Sequence, residues 1–314
     1  MSDFRTMLIV NPNSANGATK RNWTRIETAV RARLPVFDTR MTERPGDATT
    51  LARRAIHDGY EMIVSVGGDG TNNEIVNGFI ENDRVINPDA VFATIPQGTG
   101  GDFRRTIGVP KDFREAAAFL PGRDAKRIDV GRMTLVKKSG EPAVRYFINI
   151  ASFGVGGLID DTVNRTTKAL GGFASFLMGS VRAMAAYKNQ RVRIRVDGRD
   201  MGERTIFSVA VANGRYFGGG MMGAPSAEID DGLFDVLFMG DLGAYDRYVR
   251  LMSIYRGEHL KMTKIETLRA KCVEAEADEP VYHDVDGEGL GTLPSRYDIQ
   301  PSAIRLKLRA GSGA

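Results

Sequence analysis

One cysteine, Cys272, stands in 314 residues. A lone thiol forbids an internal disulfide and leaves no cysteine cluster for a metal, so the fold must hold by its core, as in a reducing compartment. Long apolar runs are also missing. The least polar long stretch, residues 169–186, carries Gly171, Gly172, Gly179 and Arg182 and makes a poor membrane span. Residues 1–5 lack the basic-then-apolar order of a secretory signal, so the expected location is cytoplasmic. There is no basic tail, zinc-finger spacing or aromatic RNA-binding signature, and no nucleic-acid partner is expected. Neither Gly-x-x-x-x-Gly-Lys-[Ser/Thr] nor a Gly-x-Gly-x-x-Gly after the first strand occurs, which excludes P-loop and dinucleotide-fingerprint chemistry.

What is present suits a globular protein of two domains: 42% hydrophobic and 26% charged residues, with a net charge of +4. Up to about residue 128, short apolar runs alternate with helical patterns. Strands are expected at 6–11, 36–39, 62–66 and 91–95, and helices at 20–34, 47–57, 73–80 and 113–120. Such alternation implies a parallel sheet, whose ligands sit at the carboxyl ends of its strands. From residue 129 the pattern changes to paired extended runs, at 128–136, 143–151, 192–196, 205–212, 233–239, 266–274 and 304–308. These predict an antiparallel sandwich or barrel over 129–310, with helical material near 159–187 and 244–257 and a disordered tail at 311–314. A late strand returning to the first domain is compatible with this pattern.

The chemistry concentrates in loops. After the strand at 62–66 comes Gly67-Gly68-Asp69-Gly70-Thr71-Asn72-Asn73. Its glycines permit positive φ and close backbone approach to an anion, a helix is expected to start at Thr71 and Asn72, and Asp69 would reach a phosphate-bound Mg²⁺ or orient a hydroxyl. The plainer reading is a tight β–α turn with Asp69 as a cap. The loops Asn11-Pro12-Asn13-Ser14-Ala15-Asn16-Gly17 and Gly98-Thr99-Gly100-Gly101-Asp102 occupy equivalent places, and three such loops at one sheet end exceed what turning requires. In the second half, His283-Asp284-Val285-Asp286-Gly287-Glu288 gathers carboxylates around a glycine, either converging on a cleft or forming a solvated hairpin. His283 beside them is either a metal ligand or incidental.

Taken in order, these loops, with Ala224-Pro225 and Asp230-Asp231-Gly232-Leu233, resemble the diacylglycerol kinase catalytic-domain family, in particular soluble bacterial lipid kinases related to sphingosine and ceramide kinases. The resemblance covers nearly the whole chain. It implies an NAD kinase/phosphofructokinase-like α/β N-terminal domain with a parallel sheet over 1–128 and a mainly antiparallel β-sandwich C-terminal domain. The implied activity is ATP-dependent phosphorylation of a lipid hydroxyl, in the simplest case diacylglycerol to phosphatidate. The alternatives are a sphingoid-base or ceramide kinase, an NAD kinase-like enzyme with a soluble acceptor, and a catalytically silent binding module. ATP would touch Asn11, Pro12, Asn13, Ser14, Ala15, Thr42, the turn Gly67, Gly68, Asp69, Gly70, Thr71, Asn72 and Asn73, and Thr99. Glu288, or Asp286, would take the hydroxyl proton, and Asp69 would align the phosphates. A structural Mg²⁺ would be held by the Asp231 carboxylate and the Glu228 and Leu233 carbonyls, apart from the Mg²⁺ that ATP carries. Gly101 stands where the family usually has Asn.

The partner implied is a lipid at a membrane surface, reached by transient peripheral contact with the inner face. Phe173, Phe176, Leu177, Val181 and Met184, followed by Lys188, Arg191, Arg193 and Arg195, are one candidate contact, and residues 216–222 are another. An unpaired strand edge would also allow a homodimer.

Overall fold

The structure, a computed structural model, describes residues 4–136, 140–157 and 187–308. The chain divides into two compact units, one of Met1–Val130 with Pro301–Ala314 and one of Gly131–Gln300.

In the first unit, β1 (Thr6–Val10), β2 (Asp38–Met41), β3 (Met62–Gly67) and the later strand Val91–Pro96 are parallel, in the order β2, β1, β3, Val91–Pro96. β1, β3 and Val91–Pro96 are buried along their whole length, as unbroken apolar runs covered on both faces must be. One layer is α1 (Ser14–Arg31), whose Ile26 and Val30 share a core with Leu8, Val64 and Ala93. Helix α2 (Asp47–His57) buries Ala48, Ala52, Ala55 and Ile56, the i, i+4, i+7, i+8 stripe expected from its sequence. It packs closely on α3 (Asp69–Phe79), where a Cβ on Gly78 would lie 2.6 Å from the Thr49 carbonyl. The hairpin β4 (Ile80–Glu81) and β5 (Arg84–Val85) leads to β6 (Val91–Pro96), then come α4 (Asp102–Thr106) and α5 (Phe113–Ala117). The sheet gains one more parallel neighbour from the chain's end, where Arg305 and Leu306 pair with Val91 and Phe92.

In the second unit, a six-stranded antiparallel sheet runs in the order β14 (Ile265–Ala270), β13 (Phe234–Met239), β12 (Ser208–Ala212), β9 (Ile150–Gly154), β16 (Tyr282–Val285), β17 (Glu288–Thr292). A second set comprises β11 (Arg199–Ile206), β10 (Gln190–Val196), β15 (Cys272–Glu276) and β18 (Ser295–Leu306), with β7 (Lys126–Val136) beside β18 and β8 (Pro142–Phe147) beside β7. Alternation sorts the side chains. Val209, Val211, Phe234, Val236 and Phe238 enter the sandwich core with Phe147, Ile194, Val273 and Tyr297, whereas Ala210, Ala212, Leu237 and Met239 face the opposite way. That outer face is covered by α6 (Ala244–Tyr248) and two 3-10 helices, Arg250–Arg256 and Glu258–Lys261, through Leu251, Ile254 and Met262.

Three runs read from the sequence as single strands are each two. The runs 143–151, 205–212 and 266–274 break near Ile148, Phe207 and Lys271, and at each break the chain passes from one set of strands to the other. The hairpin of β16 and β17 falls where no strand was expected. The helical reading near 159–187, Phe173 to Met184 and the 311–314 tail lie outside the described residues, apart from Tyr187. Arg191 and Arg193 alternate with buried Val192 and Ile194 on β10 and are paired, Arg191 with Glu203 and Arg193 with Glu276 and Asp278, so they are charged outward positions of a strand rather than a free cationic stripe. No described helix is long and apolar enough to cross a membrane.

His283 lies fully buried on β16 opposite Phe153 and Gly291, and neither ring nitrogen has a hydrogen-bond partner. Among the described residues no cluster fit for a metal forms around it. Burial lowers its pKa from 6.5 to about 4. The unfolded chain therefore binds a proton that the folded chain refuses, and stability falls as pH drops from 6.5 to 4, by about 3 kcal/mol in total. His283→Leu is expected to flatten the loss of urea-unfolding free energy between pH 7 and pH 4.5; an unchanged slope contradicts a neutral buried imidazole.

Candidate functional site

The strand order of the first unit sets the loops after β2, β1, β3 and β6 side by side at the carboxyl edge. The loop after β1 is bound to its neighbours: the Asn11 N–H donates to the Val66 carbonyl at 3.0 Å, and Asn11 Nδ2 donates to Thr71 Oγ1 at 3.1 Å. Ala15, Asn16 and Gly17 are all left-handed, with φ of 50, 54 and 76°. For the two non-glycine residues this costs roughly 1–2 kcal/mol each, strain of the kind that collects at functional loops. The Ser14 hydroxyl turns inward, donating to the Asn11 carbonyl at 2.9 Å and lying 2.5 Å from Thr19 Oγ1. It braces the loop. Thr42, buried, follows β2 and donates its N–H to the Val10 carbonyl at 2.9 Å.

The turn after β3 departs from expectation in its reason for glycine. None of Gly67, Gly68 and Gly70 has positive φ, and Gly68 is extended at φ −95° and ψ −171°. What they supply is room. A Cβ on Gly67 would lie 2.5 Å from Thr71 Oγ1, and one on Gly98 would lie 2.6 Å from the Gly68 Cα. Two loops from neighbouring strands thus touch backbone to backbone. Asp69 fastens them, accepting the Asp102 N–H at 3.1 Å on one carboxylate oxygen and the Phe103 N–H at 3.3 Å on the other. It caps α4 rather than its own helix.

Helix α3 begins at Asp69, earlier than Thr71, and its N-cap Gly68 offers no side chain to the first-turn N–H groups. By contrast, Asp112 caps α5 by accepting the Arg114 and Glu115 N–H groups. An uncapped helix start carries roughly half a positive charge and free donors, the standard setting for an anion. Thr71, Asn72 and Asn73 are buried, and Asn72 Oδ1 accepts from Thr94 Oγ1 at 3.1 Å. Thr99 is exposed at the tip of the third loop. Gly101 is left-handed at φ 67°, and a Cβ there would lie 2.8 Å from Arg104 Nε, so Arg104 fills the space beside it. Arg105 donates to the Gly100 carbonyl at 2.6 Å and to Asp102 at 2.8 Å.

In the second unit, Asp286 and Gly287 form the two-residue turn between β16 and β17, both left-handed at φ 48 and 84°. The Asp286 carboxylate accepts three consecutive backbone N–H groups, from Ile148 at 3.2 Å, Asn149 at 3.2 Å and Ile150 at 2.9 Å. Those donors fall where the chain leaves β8 for β9. Asp284, buried, accepts from Ser152 Oγ. Glu288 is half-buried and pairs with Arg145 at 2.5 Å. Of the residues expected to hold a structural Mg²⁺, Asp231 accepts the Leu233 N–H at 2.9 Å on one oxygen and pairs with Arg269 through the other. Among the described residues no other cluster of metal-ligating side chains forms.

Asp69, Gly67, Gly68 and Thr71 are brought together with Asn11 and the third loop, and Asp286 and Glu288 share one hairpin. Arg145, Ser152 and Arg104 were not foreseen. The roles of Arg145 and Ser152 follow from partners distant in sequence, for which a single sequence carries no signal, whereas Arg104 fills the space beside nearby Gly101.

Residues 5–133 match the model of the diacylglycerol kinase catalytic domain, and residues 149–308 match that of the YegS C-terminal NAD kinase beta sandwich-like domain. A diacylglycerol kinase of Staphylococcus carnosus is 32% identical over 302 residues, 93% of this chain and 91% of its own length. A solved structure of a candidate diacylglycerol kinase from Bacillus anthracis str. Sterne superposes with a TM-score of 0.78 at 26% identity, over 98% of this chain and 97% of that one. An NAD kinase of Archaeoglobus fulgidus solved with ATP, at 16% identity and a TM-score of 0.50 over 96% and 92% of the two chains, shares the fold.

The contact of Gly68 with Gly98 gives a direct test. Gly98→Ala is expected to lower unfolding free energy by ~1–3 kcal/mol, since the added methyl meets backbone that cannot move aside, whereas Gly108→Ala, which meets nothing within 4 Å but has φ 68°, probes left-handed strain alone. Urea denaturation of both variants checks this. Equal stability of Gly98→Ala and wild type contradicts the packed contact.

Proposed function

We propose that this chain, which belongs to the diacylglycerol kinase family, is a lipid kinase that transfers the γ-phosphoryl group of ATP to a lipid hydroxyl, with diacylglycerol as acceptor and phosphatidate as product. One observation carries the proposal beyond family membership: α3 starts at its N-cap Gly68 without a capping side chain, in a loop pressed backbone to backbone against the loop after β6.

The phosphates of ATP would lie against the backbone of Gly67 to Thr71 and of the strained loop Asn11 to Ala15, with Thr42 and Thr99 beside them. Asp69 uses one lone pair of each oxygen on α4, which leaves a second on each for the Mg²⁺ that accompanies ATP. That ion would neutralise charge on the phosphate oxygens as transfer proceeds. The acceptor hydroxyl oxygen bonds to the γ-phosphorus as the bond to the β–γ bridging oxygen breaks, ADP departs, and the hydroxyl proton passes to a carboxylate.

Glu288 fits the proton acceptor better than Asp286. The three N–H bonds of Asp286 make it a latch that sets the corner between β8 and β9 and thereby the hairpin on which Glu288 stands. Arg145 holds the Glu288 carboxylate in place until substrate arrives. General-base assistance of this kind is worth roughly 10²–10⁴ in rate.

Glu288→Gln is therefore expected to lower kcat by ~10²–10⁴ with little change in KM for ATP and in stability. Asp69→Asn is expected to lower kcat as well, because a neutral amide attracts the ion less. Asp286→Asn should instead destabilise the second unit by ~1–3 kcal/mol, the usual cost of disturbing a buried hydrogen-bonded group. Steady-state assays with diacylglycerol beside urea denaturation separate the effects. Full kcat in Glu288→Gln removes its assignment as base.

A further inference from the structure

Large apolar side chains are exposed at ten places among the described residues, and six of these fall in one short stretch: Tyr245, Tyr248, Val249, Met252, Tyr255 and Leu260. Their exposures run from 37% at Leu260 to 68% at Tyr245, so they are surface rather than core. They belong to α6 and the two 3-10 helices covering the outer face of the six-stranded sheet. That layer already has its core-facing side. Leu251, Ile254 and Met262 pack on the sheet, and buried His259 lies 3.0 Å from the Gly223 carbonyl through Nε2. A helical layer apolar on its packed side normally turns polar residues to water, and this one turns out tyrosines, a valine and a methionine.

Charge completes the surface. Within residues 244–264, Arg250, Arg256, Lys261 and Lys264 stand beside the apolar residues, and the acids of the segment are Asp246 and Glu258. Each carboxylate is shared by two cations, Asp246 by Arg250 at 3.4 Å and Lys264 at 3.7 Å, and Glu258 by Arg256 at 3.7 Å and Lys261 at 3.8 Å. Positive charge is left over. Arg247 is a brace instead, donating to the Leu242 and Tyr187 carbonyls and to Asn189 Oδ1. The glycine loop 216–222 adjoins the layer: the Met222 N–H donates to the Ile254 carbonyl at 3.0 Å, and Phe217 and Met221 pack half-buried against the same cluster.

We infer that this layer, residues 244–264, seats the protein on an anionic lipid bilayer. The tyrosines, Val249 and Met252 enter the boundary between headgroups and acyl chains, where amphipathic rings are favoured, and the arginines and lysines meet anionic headgroups. The reason for a bilayer partner rests on the lipid-kinase reading, and the site itself rests on exposure and charge.

The test compares the full chain with Tyr248→Ser/Val249→Ser/Met252→Ser, all at exposed positions where serine leaves the packed side intact. Sedimentation with phosphatidylcholine vesicles, with and without phosphatidylglycerol, measures partition. Wild type is expected to prefer the anionic vesicles and to bind less in high salt, and the triple variant to bind roughly tenfold or more weakly. Phosphorylation of a monomeric short-chain diacylglycerol should be unchanged in the variant, while phosphorylation of vesicle-borne diacylglycerol falls. Equal partition of variant and wild type overturns the inference, as does light scattering in which the triple substitution dissociates a wild-type dimer without altering vesicle binding. If wild type phosphorylates neither acceptor, the kinase reading fails while the partition result still decides the surface.

Discussion

Close backbone contact between Gly68 and Gly98 is the constraint on which the arrangement of loops at the first unit's sheet edge depends. Parallel β3 and β6 end side by side, and a side chain at Gly98 would push their loops apart. With both positions bare, the loops meet, and Asp69 joins them through two N–H groups of α4. Glycine at position 68 also leaves the start of α3 without a capping side chain, at the sheet's carboxyl edge where the helix dipole is positive. The two bonds to α4 fix the Asp69 carboxylate in position before any ligand arrives. Such preorganisation is what phosphoryl transfer demands of a protein, since the chemistry needs placement and charge more than covalent help.

In the second unit another carboxylate plays the structural part alone. The chain changes strand set at three places, and the break between β8 and β9 leaves three consecutive backbone donors that Asp286 gathers. Unpaired backbone donors in a buried corner are costly, and one side chain answers all three. Because Asp286 also forms the hairpin turn with Gly287, the position of Glu288 two residues on is tied to that corner. A motif that looks like a pair of equivalent carboxylates is thus divided by geometry into a latch and a half-buried, arginine-paired acid.

Much of this was legible in the sequence. The residues of α2 and the core of β3 followed from apolar periodicity, and the change from β/α alternation to paired strands marked two kinds of architecture. The three loops at the sheet edge were visible because glycine, asparagine and aspartate cluster directly after the apolar strands there. The reason for the glycines was not: steric exclusion between Gly68 and Gly98 joins residues far apart in the chain, whereas positive φ is a local property that a sequence suggests too readily. The runs 143–151, 205–212 and 266–274 read as single strands because a corner of one residue or so leaves the apolar pattern almost intact. The Asp286-Gly287 hairpin carried a recognisable turn signal, but the acidic composition around it drew attention to chemistry first. The exposed apolar layer at 245–260 was hidden for a related reason, since its hydrophobic residues look like core until the packed side is known.

These arrangements support the proposed transfer of one phosphoryl group with the help of a helix start, strained backbone and placed carboxylates. The most direct measurement is transfer of label from γ-labelled ATP with Mg²⁺ to a panel of acceptors by purified wild-type protein, with diacylglycerol, ceramide, a sphingoid base and NAD run in parallel. Labelled phosphatidate, with none in NAD, is the result predicted here. Label in NAD and in no lipid, or ATP binding without label in any acceptor, would contradict the account.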